Sequence, residues 1–296
     1  MVGTMPTEIT LLPYLQAISF PFNQFTGTIP SEYASVRGLI SFECHGNRLH
    51  GAIPEAIFKV GSDLALLNVA QNMLTGTLST GIGYLQQLKG LYVFSNYLTG
   101  TMPSQVGDLS FLSYIRVDDN QFSGTIPKPV GQLVQLTEFM FNNNQFTGTI
   151  PSELGQLQRL TDLRLGSNPN LGGTIPEELY GLTRLSYLEL ESNNLTGTLS
   201  SSVGNLVDLI ILMVSSNPLT GTIPASLVNL TSLRLAWLYF TNFTGSVPQA
   251  VCQNVGPGLL QYLDADCSPA SNPAVPCLCC SACCDRSTKL CLKTGS

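Results

Sequence analysis

The sequence predicts a solenoid, one short β-containing unit stacked about eleven times along a 296-residue chain. Three observations predict it. Glycine recurs at 3, 27, 51, 76, 100, 124, 148, 173, 197, 221 and 245, in steps of 24 residues with two of 25. The text around it repeats, as in Thr26-Gly27-Thr28-Ile29-Pro30 and Thr147-Gly148-Thr149-Ile150-Pro151. Apolar residues keep fixed places ahead of it, as in Leu15-x-x-Ile18-x-Phe20-x-x-Asn23-x-Phe25-x-Gly27. A fixed period in the range of roughly 20–50 residues marks a repeat architecture, which grows by adding units and needs no single round core.

Each unit opens on a short strand. Ile18 and Phe20, Leu67 and Val69, and Phe139 and Phe141 are spaced by two, so one strand face is buried. Stacked units pair these strands into a parallel sheet. Asparagine follows at 23, 47, 72, 96, 120, 144, 168, 193 and 217. With two donors and an acceptor, it can bond backbone groups of its own and the adjoining coil. Leaving those groups unpaired would cost about 1–3 kcal/mol each. The glycine then permits a backbone few residues adopt, and the proline fixes φ. The remaining residues, such as Ser152 to Leu157, suffice for a 3₁₀-type turn and not for a full helix. Two units deviate. Ser167-Asn168-Pro169-Asn170-Leu171 holds an extra residue and should bulge after the strand. Thr241 stands where asparagine is due, which should weaken the ladder there.

The pattern L-x-x-L-x-L-x-x-N-x-L-x-G-x-I-P resembles the plant-type leucine-rich repeat, over residues 1 to about 266. The resemblance implies an α/β solenoid: a right-handed curved superhelix with a concave parallel sheet and mostly 3₁₀ turns on the convex side. Such repeats occur in plant receptor ectodomains and in inhibitors of wall-degrading enzymes. The tail, Cys277-Leu278-Cys279-Cys280-Ser281-Ala282-Cys283-Cys284, departs from that pattern and resembles the ends of diatom and algal leucine-rich-repeat proteins. The organisation expected is a solenoid over 1–251 and a Cys-rich cap and tail over 252–296.

Composition narrows the function classes. Apolar residues make up 44% and charged ones 11%, enough for a continuous core and too few charges for disorder. A net charge of −6 argues against nucleic acid, whose binding needs clustered Lys and Arg. No stretch reaches the roughly 20 apolar residues of a membrane helix, although a parent protein could be anchored. Eight of nine cysteines crowd the end: Cys252, Cys267, Cys277, Cys279, Cys280, Cys283, Cys284 and Cys291. That density points to disulfides and a secretory route, extracellular or at the cell surface. Sequons at Asn194, Asn229 and Asn242 agree. A reduced tail in the cytosol and a zinc module are the alternatives, but the spacing fits no paired zinc signature. Of 105 possible connectivities, only Cys252 with Cys267 is singled out. Cys44 takes a core strand position and reads as an inert thiol. The chain opens inside a repeat without a secretory leader, so truncation at the N-terminus is expected, with an uncapped first coil prone to association.

The exposed strand positions carry the functional candidates. Tyr92, Phe94 and Tyr114 form an aromatic group. Arg116, Asp118, Asp119, Glu138, Asp162, Arg164, Glu189 and Glu191 form a charged stripe, and Trp237, Tyr239 and Phe240 a second aromatic group. Trp, Tyr and Arg are what binding hot spots favour, although Tyr and Trp also suit any half-buried sheet. The expected role is recognition of a protein, peptide or glycan on this face, receptor-like. Inhibition of an extracellular hydrolase, or a structural role in the wall, is the second reading. An enzyme is not expected. The two histidines, His45 and His50, have no oriented nucleophile, and Glu189 with Glu191 lies on an open sheet. No cofactor or metal is called for. Threonine after the glycine at 4, 28, 77, 101, 125, 149, 174, 198 and 222 would build a column at roughly 4.8 Å spacing, which raises ice adsorption as a third reading.

Overall fold

The computed structural model describes residues 1–59, 63–255, 260–267, 275–285 and 288–293. The chain forms two compact units, Met1–Phe146 and Thr147–Ser296.

In the first unit, Ala17–Ser19, Ser41–Glu43, Leu66–Asn68, Gly90–Tyr92, Tyr114–Arg116 and Glu138–Met140 pair in parallel in chain order. The register is one full repeat, with Asn68 opposite Tyr92 and Tyr92 opposite Arg116, so like positions stand side by side. The alternation works as the spacing predicts: Ile18, Phe42, Leu67, Leu91, Ile115 and Phe139 are buried, as are Cys44, Val69, Val93, Val117 and Phe141. Fully burying such a side chain contributes about 1.5–3 kcal/mol. Stacked rings at Phe139, Phe141 and Phe146 (centroids 4.0 and 5.3 Å apart) thicken this core.

Turns of 3₁₀ type follow the glycine segments, at Thr7–Leu11, Ser31–Ser35, Glu55–Lys59, Thr80–Tyr84, Ser104–Asp108 and Lys128–Gln132. Proline at the preceding position supplies the first carbonyl, as in Val106 N–H to Pro103 (3.1 Å). Where Ser79 replaces it, the hydroxyl accepts from Gly81 N–H at 2.9 Å, an N-cap.

The asparagine column is a ladder. Asn72 Oδ1 accepts from Leu49 N–H (3.0 Å) in the coil before, while Nδ2 donates to the carbonyls of Cys44, Val69 and Ala70 (3.0, 3.2 and 3.0 Å). The residue ahead of each asparagine is left-handed. Gln71, Ser95, Asp119 and Asn143 have φ of 51–54°, and Phe22 shares that φ despite its bulk.

In the second unit, Asp162–Arg164, Tyr187–Glu189, Ile211–Met213, Leu235–Trp237 and Tyr262–Ala265 continue the parallel pattern. Ala282–Asp285 adds in parallel, and Leu290–Lys293 pairs antiparallel with it. The extra residue is absorbed in a turn closed by Leu171 N–H to Asn168 O at 2.8 Å. At Thr241 the ladder changes partner. Its hydroxyl donates within its own coil, to Leu238 O at 3.0 Å. Asp266 takes over from the next coil and accepts from Phe240 and Thr241 N–H at 2.7 and 2.9 Å. The column therefore passes to a carboxylate instead of lapsing.

The tail carries four disulfides: Cys252–Cys279, Cys267–Cys283, Cys277–Cys280 and Cys284–Cys291. This corrects the expected Cys252–Cys267 bond. Cys267 follows the strand Tyr262–Ala265, whose parallel partner Ala282–Asp285 brings Cys283 beside it. Cys44 is the one free cysteine and is buried, with its thiol pKa pushed up by burial.

Candidate functional site

The predicted site residues fall into two groups, one on the strand face of each unit. In the first unit, the register places Tyr92, Arg116 and Met140 in one row, and Gly90, Tyr114 and Glu138 in the neighbouring one. Gly90 lacks the β-carbon that would collide with the Tyr92 ring, so that ring folds back over it. Tyr92 and Tyr114 stack at 6.4 Å. The Arg116 guanidinium lies 4.0 Å over the Phe94 ring. It forks onto Asp118, with Nε to Oδ1 at 3.2 Å and Nη2 to Oδ2 at 3.0 Å. Burial opposes the charge on Arg116, but the Asp118 bond and the Asp118 and Glu138 charges hold its pKa above the ordinary value. Burial, with Glu138 and Tyr114 beside it, pushes the Tyr92 phenol up to about 12. Asp118 is buried and serves as an anchor for Arg116. Asp119 turns aside into its own ladder, accepting from Asn143 Nδ2 (2.7 Å) and Ser95 Oγ (3.3 Å). The group is thus a ring platform with one fixed cation.

In the second unit, Arg164 is shared between acids: Nη2 reaches Asp162 Oδ1 at 3.3 Å and Nη1 reaches Glu189 Oε1 at 3.1 Å. The Tyr187 ring lies 5.2 Å from it. Glu191 turns its carboxylate over Gly166, where a β-carbon would run into it. Its Oε2 is buried without a hydrogen-bond partner. Burial raises the pKa of Glu189 and of Glu191, and the Glu189 charge adds to the rise at Glu191. Trp237 stands between Met213 and Asp264, and its ring lies 5.9 Å from Tyr239. Tyr239 hydrogen-bonds Ser215 and meets Phe240 edge-on at 4.8 Å. Lys289 Nζ from the tail sits 4.6 Å over Phe240.

Sequence reasoning missed Asp264 and Lys289. Asp264 was readable: Leu260-x-x-Leu263-x-Ala265 continues the repeat and puts Asp264 in the Trp237 position of the next coil. Lys289 was not, since only the disulfide-bonded tail brings it back. Among the described residues no group of His, Cys, Asp and Glu could hold a metal ion, and no helix is long and apolar enough to cross a membrane.

The threonine column differs from expectation. Strands after the glycines are staggered, so Thr77 lies opposite Thr99 and not Thr101, and Thr99 lies opposite Gln121. Same-position threonines are thereby offset by two residues and stand about 8 Å apart. The rows read Thr-Thr-Gln in the first unit and, at Thr198, Thr220 and Asn242, Thr-Thr-Asn in the second. The stagger has a steric basis. Each threonine methyl covers the next glycine, and a β-carbon at Gly100 would lie 2.7 Å from the Thr77 methyl. Of the sequons, Asn194 and Asn229 are exposed, whereas Asn242 is half-buried in the pairing with Thr220–Thr222.

Strands repeated at one period, an asparagine ladder and 3₁₀ turns define a leucine-rich-repeat solenoid. The Leucine Rich Repeat family is matched over residues 135–157, 184–206 and 208–230. The repeats are similar to those of plant leucine-rich-repeat proteins. The chain is 39% identical to Receptor-like protein 32 of Arabidopsis thaliana over 70 residues, covering 24% of this chain and 8% of that one. The solved structure of the Arabidopsis receptor kinase HAESA, in complex with the peptide hormone IDA and the co-receptor SERK1, is 31% identical. It aligns with a TM-score of 0.80 over 89% of this chain and 47% of the matched chain of that structure. A plant ice-binding protein, 22% identical with a TM-score of 0.63 over 93% of this chain and 80% of its own, shares the fold alone. The chain thus spans under half of the chain matched in the HAESA complex, and its match takes in a small part of the receptor-like protein. The algal likeness of the tail is carried by its cysteine spacing alone.

Proposed function

We propose that this chain is a non-enzymatic recognition domain, receptor-ectodomain-like, that binds a peptide or protein along the exposed face of its parallel strands, outside the cell or at its surface. The observation that carries the reading is the Tyr92, Phe94, Tyr114 and Arg116 group. Its rings are half-exposed and held by stacking, and its one cation is fixed by a buried carboxylate. Rigid aromatic and Arg anchors lose little entropy on binding, which is why hot spots are built from them. HAESA, of like fold at 31% identity, was solved with a peptide hormone. The four disulfides suit an oxidising compartment, where Asn194 and Asn229 offer exposed glycosylation sites. The staggered threonine rows favour scaffolding over ice adsorption, which needs a flat, regular array.

The test is a display selection of extended peptides on the whole chain. Peptides enriched on the native protein should lose binding by at least about tenfold when Tyr92, Arg116 and Trp237 are replaced together by alanine, a floor that the loss of a single hot spot would already exceed. Enriched peptides that bind this variant as well as the native chain would place recognition elsewhere.

A further inference from the structure

The flank sheet of the second unit carries one asparagine with bare backbone beside it. Asn194 opens the strand Asn194–Leu195 and is exposed. The residue paired with it on the preceding coil is Gly172. Threonine takes that place beside Tyr97, Gln121, Asn170 and Asn242, as Thr75, Thr99, Thr147 and Thr220. A β-carbon at Gly172 would lie 3.3 Å from Asn194 O and 3.8 Å from Asn194 Nδ2. The amide therefore stands where other coils have a threonine side chain for a neighbour. Asn194-Leu195-Thr196 is also an Asn-x-Thr sequon, the acceptor for an N-linked oligosaccharide. Its Thr196 is exposed, and the hydroxyl donates to Gly173 O at 3.3 Å.

The sequon at Asn242 is placed differently. Asn242 is half-buried, and the residue opposite it is Thr220, whose hydroxyl donates to Gly197 O at 3.0 Å. Asn229 is exposed at the end of the 3₁₀ turn Ala225–Asn229 and lies outside the flank sheet.

We propose that the secreted protein carries an N-linked glycan at Asn194, seated over Gly172, and none at Asn242. The inference rests on the extracellular reading above and goes beyond it, because it sorts the sequons by the room around them. In the transfer, Asn194 Nδ2 loses a proton and bonds to C1 of the first N-acetylglucosamine of a lipid-diphosphate-linked oligosaccharide. The bond from C1 to the diphosphate oxygen breaks, the lipid diphosphate leaves, and nothing is oxidised or reduced. Transfer precedes folding, so every sequon meets the enzyme and the fold decides which glycan it can seat. At Asn242 the first sugar would press on Thr220, and a well-packed site resists added bulk. The flank sheet is separate from the sheet that holds Arg164 and Trp237. The glycan thereby shields the threonine rows and leaves the strand face open.

The whole chain, led by a signal peptide, is secreted from a mammalian cell line. Peptide-N-glycosidase in heavy-oxygen water then turns each glycan-bearing asparagine into labelled aspartate, which peptide mass spectrometry locates. Label is expected at Asn194 and absent from Asn242, with Asn229 as the reference for an exposed sequon. Melting tests the room at Gly172. The effect of the glycan is read as the glycosylated chain against Asn194→Gln, in the native background and in Gly172→Thr. It should lie about 2 °C or more lower in the Gly172→Thr background, the scale of one overpacked contact. Retention of the chain inside the cells, an unlabelled Asn194, label at Asn242 in the secreted chain, or an equal glycan effect in the two backgrounds would each overturn the proposal. The display selection fails separately. A secreted chain without label that still enriches peptides would sink the glycan and leave strand-face recognition standing. Label at Asn194 with no peptide enrichment would do the reverse.

Discussion

Arg116 and Arg164 occupy the same place in their repeats and expose the same share of side chain, 30%. Their surroundings differ. Arg116 has one dedicated partner, Asp118, whose side chain is 6% exposed, and a ring beneath it. Arg164 divides itself between Asp162 and Glu189, at 16% and 13% exposure, and Glu191 lies beyond them with a buried oxygen unmet. The repeat sets where an arginine stands, while its neighbours decide whether the site is balanced. The first unit presents a neutralised cation on aromatic rings, and the second presents surplus acid.

The largest expected difference lies in the acids that hold the arginines. Asp118→Ala strands a half-buried guanidinium and should lower stability by about 2 kcal/mol, less than a fully buried pair because Arg116 keeps some water. Asp162→Ala leaves Glu189 in place and should cost under about 1 kcal/mol. Urea unfolding of both variants measures this, and equal losses would break the contrast.

Glu191 sharpens it further. Gly166→Ala pushes a β-carbon into that carboxylate and should cost about 1 kcal/mol, the low end of an overpacking penalty. In a Glu191→Ala background the cost should vanish, and a double-mutant cycle reads the coupling directly. Additive losses would show that the carboxylate is not what fills the space.

The smallest effect carries a pH signature. Folding raises the pKa of Glu191, so the folded state prefers the protonated form. Stability from this group is present below the ordinary carboxylate range and is lost as pH rises through the raised value. Glu191→Gln should therefore match the native protein in acid and exceed it at neutral pH, by under about 1 kcal/mol for a part-buried group. Denaturation midpoints across a pH series test the sign, and an advantage that persists in acid would refute the cause.

Most of the scaffold could be read from the residues. Leu67 and Val69 two apart, Asn72 next in line and Gly76 closing the segment each have one role in every coil, so a linear pattern identifies them. Of the site, Tyr92, Arg116 and Trp237 were placed correctly on the strand face, because alternation alone decides which way they point. Asp118 was read as exposed and proved buried, since its ion pair with Arg116 depends on side-chain geometry. Thr77 was assigned to a straight column, and the stagger that seats its methyl on Gly100 moved it.

What the sequence determined by itself is everything that repeats: strand, ladder, glycine and 3₁₀ turn. Each is a local preference confirmed by an identical neighbour one coil away, so periodicity carries the same information as contact. Tertiary structure alone decided what happens once. Asp266 replaced the ladder asparagine, Cys267 met Cys283, Lys289 returned over Phe240, and one oxygen of Glu191 was left without a donor. These pairings join residues with no shared period, and only chain packing brings such groups within bonding distance.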